Sequence, residues 1–511
     1  MTASQGTVEH SGRERWRVRV RSRSHPARVL GAGVLVDSTH VLTCAHVVLG
    51  VDDLAVDLVE LPGRPSSRAR VIKNLCVPPM DDERGDVALL ELLSPQPADC
   101  AARLRRVALT WDRRVHTLGY PTGEGLDIGE WTRMTLAGHA GAEWLQMNRS
   151  SVNDTRVRSG FSGAGVADDA TGDVLGIVVS EYTDATAGLS WMLPVEAIVR
   201  HLPIVSEWVV GDSGIDPSFA PTAVGPELLG EAERLVDWIE RRHDGPAVLI
   251  VLRRDIAAVR QAVAVSSGRV DAGDARTLGG VDLALDVGGR TVDEVSRRIV
   301  ERAGLAAEGA DTASDRLRAG TPPMTIVLDG VDEAEQPVAL LDEVLKPMVD
   351  SGARLVLGFR HDESASLASA RDLRGELVTG RLAAIAKRVE ALPDDTDWQL
   401  RLTALRKAAA RDAGAVAGVL PKMEERLRRD ERRERRRHRV DESTSIDRGV
   451  LVATQARAND QGLGEDIGLA AAYRRADELL AAEPVDQAAA HAAVLAYEAA
   501  VRQALANRGH R

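Results

Sequence analysis

The feature that most constrains this chain is a change of hydrophobic rhythm along its length. From Trp16 to about Trp208, apolar residues come in short runs separated by turn residues, as in Arg17-Val18-Arg19-Val20, Gly33-Val34-Leu35-Val36, Asp86-Val87-Ala88-Leu89-Leu90 and Leu175-Gly176-Ile177-Val178-Val179. Many short strands at close spacing predict an all-β barrel or sandwich. Residues 211–225 are rich in Gly, Pro, Ser and Asp and read as a linker. Then strand-like and helix-like segments alternate. Ala247 to Leu252 predicts a buried strand, with a helix from Asp255; Val281 to Leu285 predicts another, with a helix over Thr291 to Ala303. Thr325 to Asp329 and Arg354 to Gly358 continue the series. Such alternation predicts a parallel α/β sheet. Beyond about Asp394 the pattern is helical, with a break expected at Asp441 to Asp447 and an Ala-rich helical hairpin over Leu469 to Ala506, interrupted at Pro484. The layout expected for 511 residues is therefore multidomain: all-β at 1–210, a linker at 211–225, α/β at 226–393 and α-helical at 394–511.

Composition narrows the function classes. Aromatics make up 3% of the chain, so its cores must be built mainly from Ala, Val and Leu. A net charge of -12 disfavours general nucleic-acid binding. Cys44, Cys76 and Cys100 form no C-x-x-C pair and no even set, which fits a reducing compartment and neither a zinc ribbon nor a disulfide framework. Met1 to Arg23 lacks the apolar core of a secretory signal, and no run of about 18 apolar residues appears. The expectation is a cytoplasmic protein with no membrane span, metal or cofactor.

Three segments carry chemistry. A serine hydroxyl needs a base to take its proton, and a histidine base needs a carboxylate on its other ring nitrogen to fix the tautomer. The developing oxyanion needs backbone N–H donors, which glycines let the chain supply at close approach. Leu42-Thr43-Cys44-Ala45-His46-Val47-Val48 follows a strand-like run. Gly85-Asp86 heads the apolar run Val87 to Leu90, and Gly160-Phe161-Ser162-Gly163-Ala164-Gly165 places a serine between glycines just before another strand. An α/β-hydrolase elbow is a poorer match. It requires Gly where Ala164 stands, and it orders its triad Ser, Asp, His.

These segments resemble the trypsin-like (chymotrypsin-fold) serine proteases. In that family the histidine lies in Thr-Ala-Ala-His, the aspartate heads Asp-Ile/Val-Ala-Leu, and the serine lies in Gly-Asp/Asn-Ser-Gly-Gly-Pro, in that chain order. Gly31-Ala32-Gly33-Val34-Leu35-Val36 resembles a further strand of the family. The resemblance implies a double β-barrel with His46 as general base, Asp86 as orienting carboxylate and Ser162 as nucleophile. The N–H groups of Gly160 and Ser162 would form the oxyanion hole. Phe161 replaces the acidic residue with which secreted zymogens bind a new N-terminus, so activation by N-terminal cleavage is not expected. The family pattern places the specificity pocket near residues 152–158 and 178–182. Arg156 stands nearest the position of an acid that would select basic side chains, so a preference for Lys or Arg is not supported.

Thr325-Ile326-Val327-Leu328-Asp329-Gly330-Val331-Asp332-Glu333-Ala334 resembles the Walker B segment of STAND-type P-loop NTPases. Nucleotide binding also needs G-x-x-x-x-G-K-S/T after the first strand. Here Arg253-Arg254-Asp255 follows that strand, and no lysine occurs between Lys73 and Lys346. The expectation is a degenerate P-loop-like domain used for sensing or assembly. The Arg/Glu tract Glu424 to Arg439 reads as a solvated helix laced by ion pairs, and no aromatics interleave to stack on bases. The expected function is an intracellular serine endopeptidase with a polypeptide substrate, regulated or recruited through its later domains. A domain-level analogy is to bacterial conflict or signalling proteins. The alternative is a non-catalytic scaffold.

Overall fold

In the computed structural model the described residues are 14–24, 28–81, 84–121, 129–141, 143–151, 153–181, 189–219, 226–240, 247–267, 280–305, 312–392, 396–482 and 485–509. Part of the expected specificity pocket, at 152 and 182, lies outside them, as does the Pro484 turn. The chain divides into two units, Met1–Leu377 and Val378–Arg511.

The first unit opens with two barrels. Strands β1 (Arg17–Ser22), β2 (Arg28–Leu35), β3 (His40–Thr43), β4 (Leu54–Asp57), β5 (Ser66–Pro79) and β6 (Gly85–Leu92) close in the order β1-β2-β3-β6-β5-β4. A short helix α1 (Ala45–Val48) follows β3. After β7 (Leu104–Arg105), the second barrel is built from β8 (Arg114–Gly119), β9 (Glu130–Ala140), β10 (Trp144–Arg149), β11 (Gly165–Asp168), β12 (Val174–Glu181) and β13 (Leu189–Pro194). Their order is β11-β8-β9-β10-β13-β12, and a β11–β12 pairing closes the ring. Closure removes the unpaired strand edges that a half-open sheet would expose. Helix α2 (Val195–His201) follows, then β14 (Val209–Val210), which lies parallel to β7. Both cores are largely aliphatic, as the scarcity of aromatics requires: Val18, Val34, Leu42 and Leu89 are buried in the first, and Val115, Leu136, Leu145 and Val166 in the second.

The same unit continues with α3 (Pro226–Glu240) and a parallel sheet of β15 (Val248–Leu252), β16 (Leu283–Asp286), β17 (Thr325–Asp329) and β18 (Arg354–Phe359). The strand order is β15-β18-β17-β16. Apolar side chains are buried on both faces, which is why these strands read as continuous hydrophobic runs. Helices α4 (Ile256–Ser266), α5 (Val292–Ala303) and α6 (Ala313–Ala319) lie between strands. Helix α5 starts at a Thr291–Glu294 capping box and ends at Gly304 in the left-handed region. Between β17 and β18, α7 (Pro337–Ala339) leads through a π-helical stretch, Leu340–Leu345, into α8 (Lys346–Asp350). Residues 211–219, within the span read as a linker, run beside the sheet: Ile215 bridges Ala284, and the Asp216 N–H donates to Ala284 O at 2.9 Å.

Helix α9 (Ala365–Val389) carries the chain into the second unit, where α10 (Thr396–Ala409), α11 (Ala413–Ala417), α12 (Leu420–Asp460), α13 (Ile467–Ala481) and α14 (Gln487–Gly509) follow. The Arg/Glu tract is helical. Glu424 and Glu431 are not merely solvated, since each accepts a two-nitrogen bond, from Arg381 and Arg388 of α9 respectively. The break expected at Asp441 to Asp447 does not occur, and α12 runs for 41 residues without interruption. The polar side chains there serve α14 instead: Thr444 donates to Gln487, and Asp447 pairs with His491 at 2.8 Å. No helix among the described residues is long and apolar enough to cross a membrane.

Candidate active site

His46 sits in α1, immediately after β3 delivers Cys44 to the helix start. Two bonds fix it to Asp86. The His46 N–H donates to Asp86 Oδ1 at 3.0 Å, and Nδ1 lies 2.7 Å from Asp86 Oδ2. The carboxylate is buried while the imidazole is about half exposed, at 41%. With Nδ1 engaged, Nε2 is the nitrogen left to exchange a proton with a ligand. Asp86 reaches this position through two successive left-handed residues, Gly85 at φ +80° and Asp86 at φ +61°. An aspartate tolerates that region at a modest cost, of order 1 kcal/mol or more, when its surroundings fix it. A side chain at 85 would meet Pro78 O at 2.5 Å.

Ser162 lies on the turn before β11, and its main chain is stitched to the first barrel. The Ala32 N–H donates to Ser162 O at 2.8 Å, and the Thr43 hydroxyl donates to Ala32 O at 2.7 Å; the next residue is tied to the second barrel, where the Gly163 N–H donates to Val178 O at 2.8 Å. Gly31 fits between Ser162 O and Val47, the residue after His46. Ser162 and the residue after His46 thus flank one glycine. The Ser162 hydroxyl itself makes no hydrogen bond among the described residues, so the structure pairs His46 with Asp86 and does not join the serine to the imidazole. Such bonds are often long before a ligand binds.

The backbone around the serine alternates. Phe161 N–H donates to Arg158 O at 3.0 Å and Gly163 N–H to Val178 O, whereas the N–H groups of Gly160 and Ser162 have no main-chain acceptor among the described residues. Gly160 has φ +102°, and a side chain there would strike Tyr120 O. Phe161 is fully buried against Gly119, anchoring the turn in the second barrel.

Cys44, His46 and Asp86 place ligand atoms within 4.8 Å of one another. Their chemistry fits a metal poorly. Both Asp86 oxygens are taken by His46, and the Cys44 thiol donates to Val178 O at 3.2 Å. Burial, reinforced by the Asp86 charge, pushes that thiol well above its ordinary pKa, away from the thiolate a metal needs.

In the α/β domain, the acidic end of β17 is occupied from within. Asp329 is buried and takes Arg260 at 2.8 Å, while Arg360 pairs with Asp286 at 2.6 Å and with Glu333. Burial alone would lower the Arg360 pKa, but the charges of Asp286, Asp329 and Glu333 outweigh it and raise it. Asp332 is used by the fold too, accepting the N–H groups of Arg360 and His361 at 2.9 and 2.8 Å. After β15 a three-residue turn, Arg253–Asp255, leads straight into α4.

One polar residue near the site carries no sequence signal. Glu143, isolated between β9 and β10, accepts the N–H of Gly85 at 3.3 Å. Only the fold brings it to the residue before Asp86.

Residues 31–177, which include His46, Asp86 and Ser162, match the trypsin-like peptidase domain. No curated protein matches the chain. Among solved structures it is similar to the active form of the Rv3671c protease from M. tuberculosis, with 21% identity, 38% of this chain and 82% of that one covered, and a TM-score of 0.30. It is also similar to a scabies mite inactivated protease paralogue, at 16% identity, 39% and 96% coverage and a TM-score of 0.31. A third is the HtrA-type protease AlgW with a decapeptide, at 19% identity, 44% and 74% coverage and a TM-score of 0.30.

Proposed function

We propose that this chain is a serine endopeptidase in which His46, Asp86 and Ser162 act as a triad. The observation that carries the reading is the pair of hydrogen bonds between His46 and a buried carboxylate, which engages Nδ1 and leaves Nε2 as the nitrogen that can take a proton. A peptide binding over His46 and Ser162 excludes water and brings the Ser162 hydroxyl onto His46 Nε2. The imidazole takes the hydroxyl proton as oxygen attacks the scissile carbonyl, and Asp86 stabilises the resulting imidazolium. The N–H groups of Gly160 and Ser162, uncommitted to main-chain acceptors, receive the oxyanion. His46 then returns the proton to the leaving amine, and water releases the acyl group by the same steps in reverse.

The α/β domain is a degenerate P-loop-like module that regulates or recruits the protease, as in bacterial conflict or signalling assemblies. The arginines on its acids stand where a nucleotide's magnesium would have to compete. The helical region offers a surface for a protein partner. Three free thiols suit a cytoplasmic setting.

The second reading, a scaffold without activity, draws on the unbonded Ser162 hydroxyl. A fluorophosphonate probe separates the two. Labelling of the full chain, abolished in Ser162→Ala, is expected; an unlabelled wild-type protein favours the scaffold.

A further inference from the structure

The strained turn that carries Asp86 is held from the other barrel by one buried carboxylate. Glu143 lies between β9 and β10 of the second barrel and is 4% exposed. Its Oε2 accepts the Gly85 N–H at 3.3 Å and lies 2.6 Å from His201 Nε2, and its Oε1 accepts from Arg200 at 3.1 Å. Burial alone would raise its pKa, but the His201 bond and the charges of His201 and Arg200 hold it below the ordinary carboxylate range. It therefore stays ionised, as a strong acceptor must.

Arg200 and His201 are the last residues of α2, and the same helix is gripped from the α/β domain. Glu196 of α2 receives Arg302 of α5 at 3.1 Å and lies 3.4 Å from Arg106. Arg302 is nearly buried and is fixed by its bond to Asp282 O at 2.7 Å. Glu143, Arg200, Glu196 and Arg302 all border a cavity of about 350 Å³. These ion pairs therefore line a space in which side chains can rearrange, rather than a close-packed core.

We propose that Glu143 is a positioning residue for the proposed triad, and that through α2 it places the Asp86 turn under the control of the α/β domain. A left-handed residue other than glycine, as Asp86 is, persists only where its surroundings over-determine it. Glu143 supplies the restraint on Gly85 that comes from outside the first barrel. A helix-end partner for Arg200 and His201 would need no third bond to Gly85, and it is this bond that ties α2 to the site. Release of Arg302 from Glu196 frees α2, slackens Glu143, and lets Asp86 drift from His46.

This inference rests on the hydrolase reading, so two readouts are used on the full chain. The first is the downfield NMR signal of the His46 Nδ1 proton, assigned by its loss in His46→Ala; it reports the Asp86 bond whether or not the protein is an enzyme. The second is the rate of Ser162 phosphonylation. Glu143→Gln is expected to shift or broaden the signal and to slow phosphonylation by about tenfold to a hundredfold, with partial recovery in Glu143→Asp. Arg302→Met is expected to do the same to a smaller degree. If Glu143→Gln does not fold, His201→Gln weakens the same carboxylate and must move the signal. An unchanged signal in a folded Glu143 or His201 variant overturns the positioning role, and an unchanged signal in Arg302→Met overturns control by the α/β domain. If the wild type is not phosphonylated, the hydrolase reading fails and the NMR signal alone decides the positioning claim. Absence of both in the wild type overturns it as well, since no held bond then exists to position.

Discussion

Replacing Gly31 by alanine adds one methyl group between the serine and the histidine segment. That Cβ would lie 2.6 Å from Ser162 O and 2.9 Å from Val47 Cγ2, where ordinary contact begins at 3.4 Å. The Ser162 carbonyl must retreat by roughly 0.8 Å, and a misplacement on the order of 1 Å costs about a hundredfold in rate. Its bond from Ala32 N–H resists the retreat. Overpacking of this kind also costs about 1–3 kcal/mol of stability. The matched control is Gly33→Ala, whose Cβ would meet Val41 Cγ1 at 2.8 Å and Val18 Cγ2 at 3.0 Å inside the first barrel. Both variants should melt lower by about 2–4 °C for each kcal/mol lost. Only Gly31→Ala should slow fluorophosphonate labelling by about 10- to 100-fold when both are assayed well below their melting points. Equal labelling rates in the two variants refute the claim that Gly31 spaces the serine from the histidine segment.

Three other outcomes follow from particular contacts. Arg260→Met leaves buried Asp329 without its 2.8 Å partner and should destabilise the α/β domain by about 3 kcal/mol in urea unfolding; a loss under 1 kcal/mol contradicts the network. Asp169 is held below the ordinary carboxylate range by its bond from His116. Its folded-state pKa is depressed, so its contribution is present above about pH 4 and is lost as pH falls through the lower folded value. Asp169→Asn should therefore flatten the acid limb of a stability-versus-pH curve; an acid limb as steep as the wild type's contradicts the bond. Asp447→Ala removes the bond from His491 to a buried carboxylate and should lower stability by about 1–3 kcal/mol, read by thermal melting, if α14 docks on an unbroken α12.

Local rhythm made the strands beside the candidate residues legible. His46, Asp86 and Ser162 each lie beside a short apolar run whose strand character follows from neighbouring residues alone, and β3, β6 and β11 lie there. The sheet strands of the α/β domain were legible for the same reason, because burial on both faces leaves unbroken hydrophobic runs. The misreading at Asp441 to Asp447 has the opposite cause. Short polar side chains usually divert helices by bonding their own backbone. Here Thr444 and Asp447 bond Gln487 and His491, more than forty residues away, which no local pattern encodes. Residues 211–219 look like tether by composition, yet Ile215 pairs with Ala284 and Asp216 takes Arg290. Glu143 is silent in sequence because a lone glutamate acquires meaning only from the three donors that surround it.

The central claim is that His46 activates Ser162. The direct measurement is the second-order rate of phosphonylation at Ser162, with the adduct located by mass spectrometry, in the wild type and in His46→Ala. The account predicts a single adduct on Ser162 and a fall of about a thousandfold or more without the imidazole. An adduct elsewhere, or the same rate in both proteins, contradicts it.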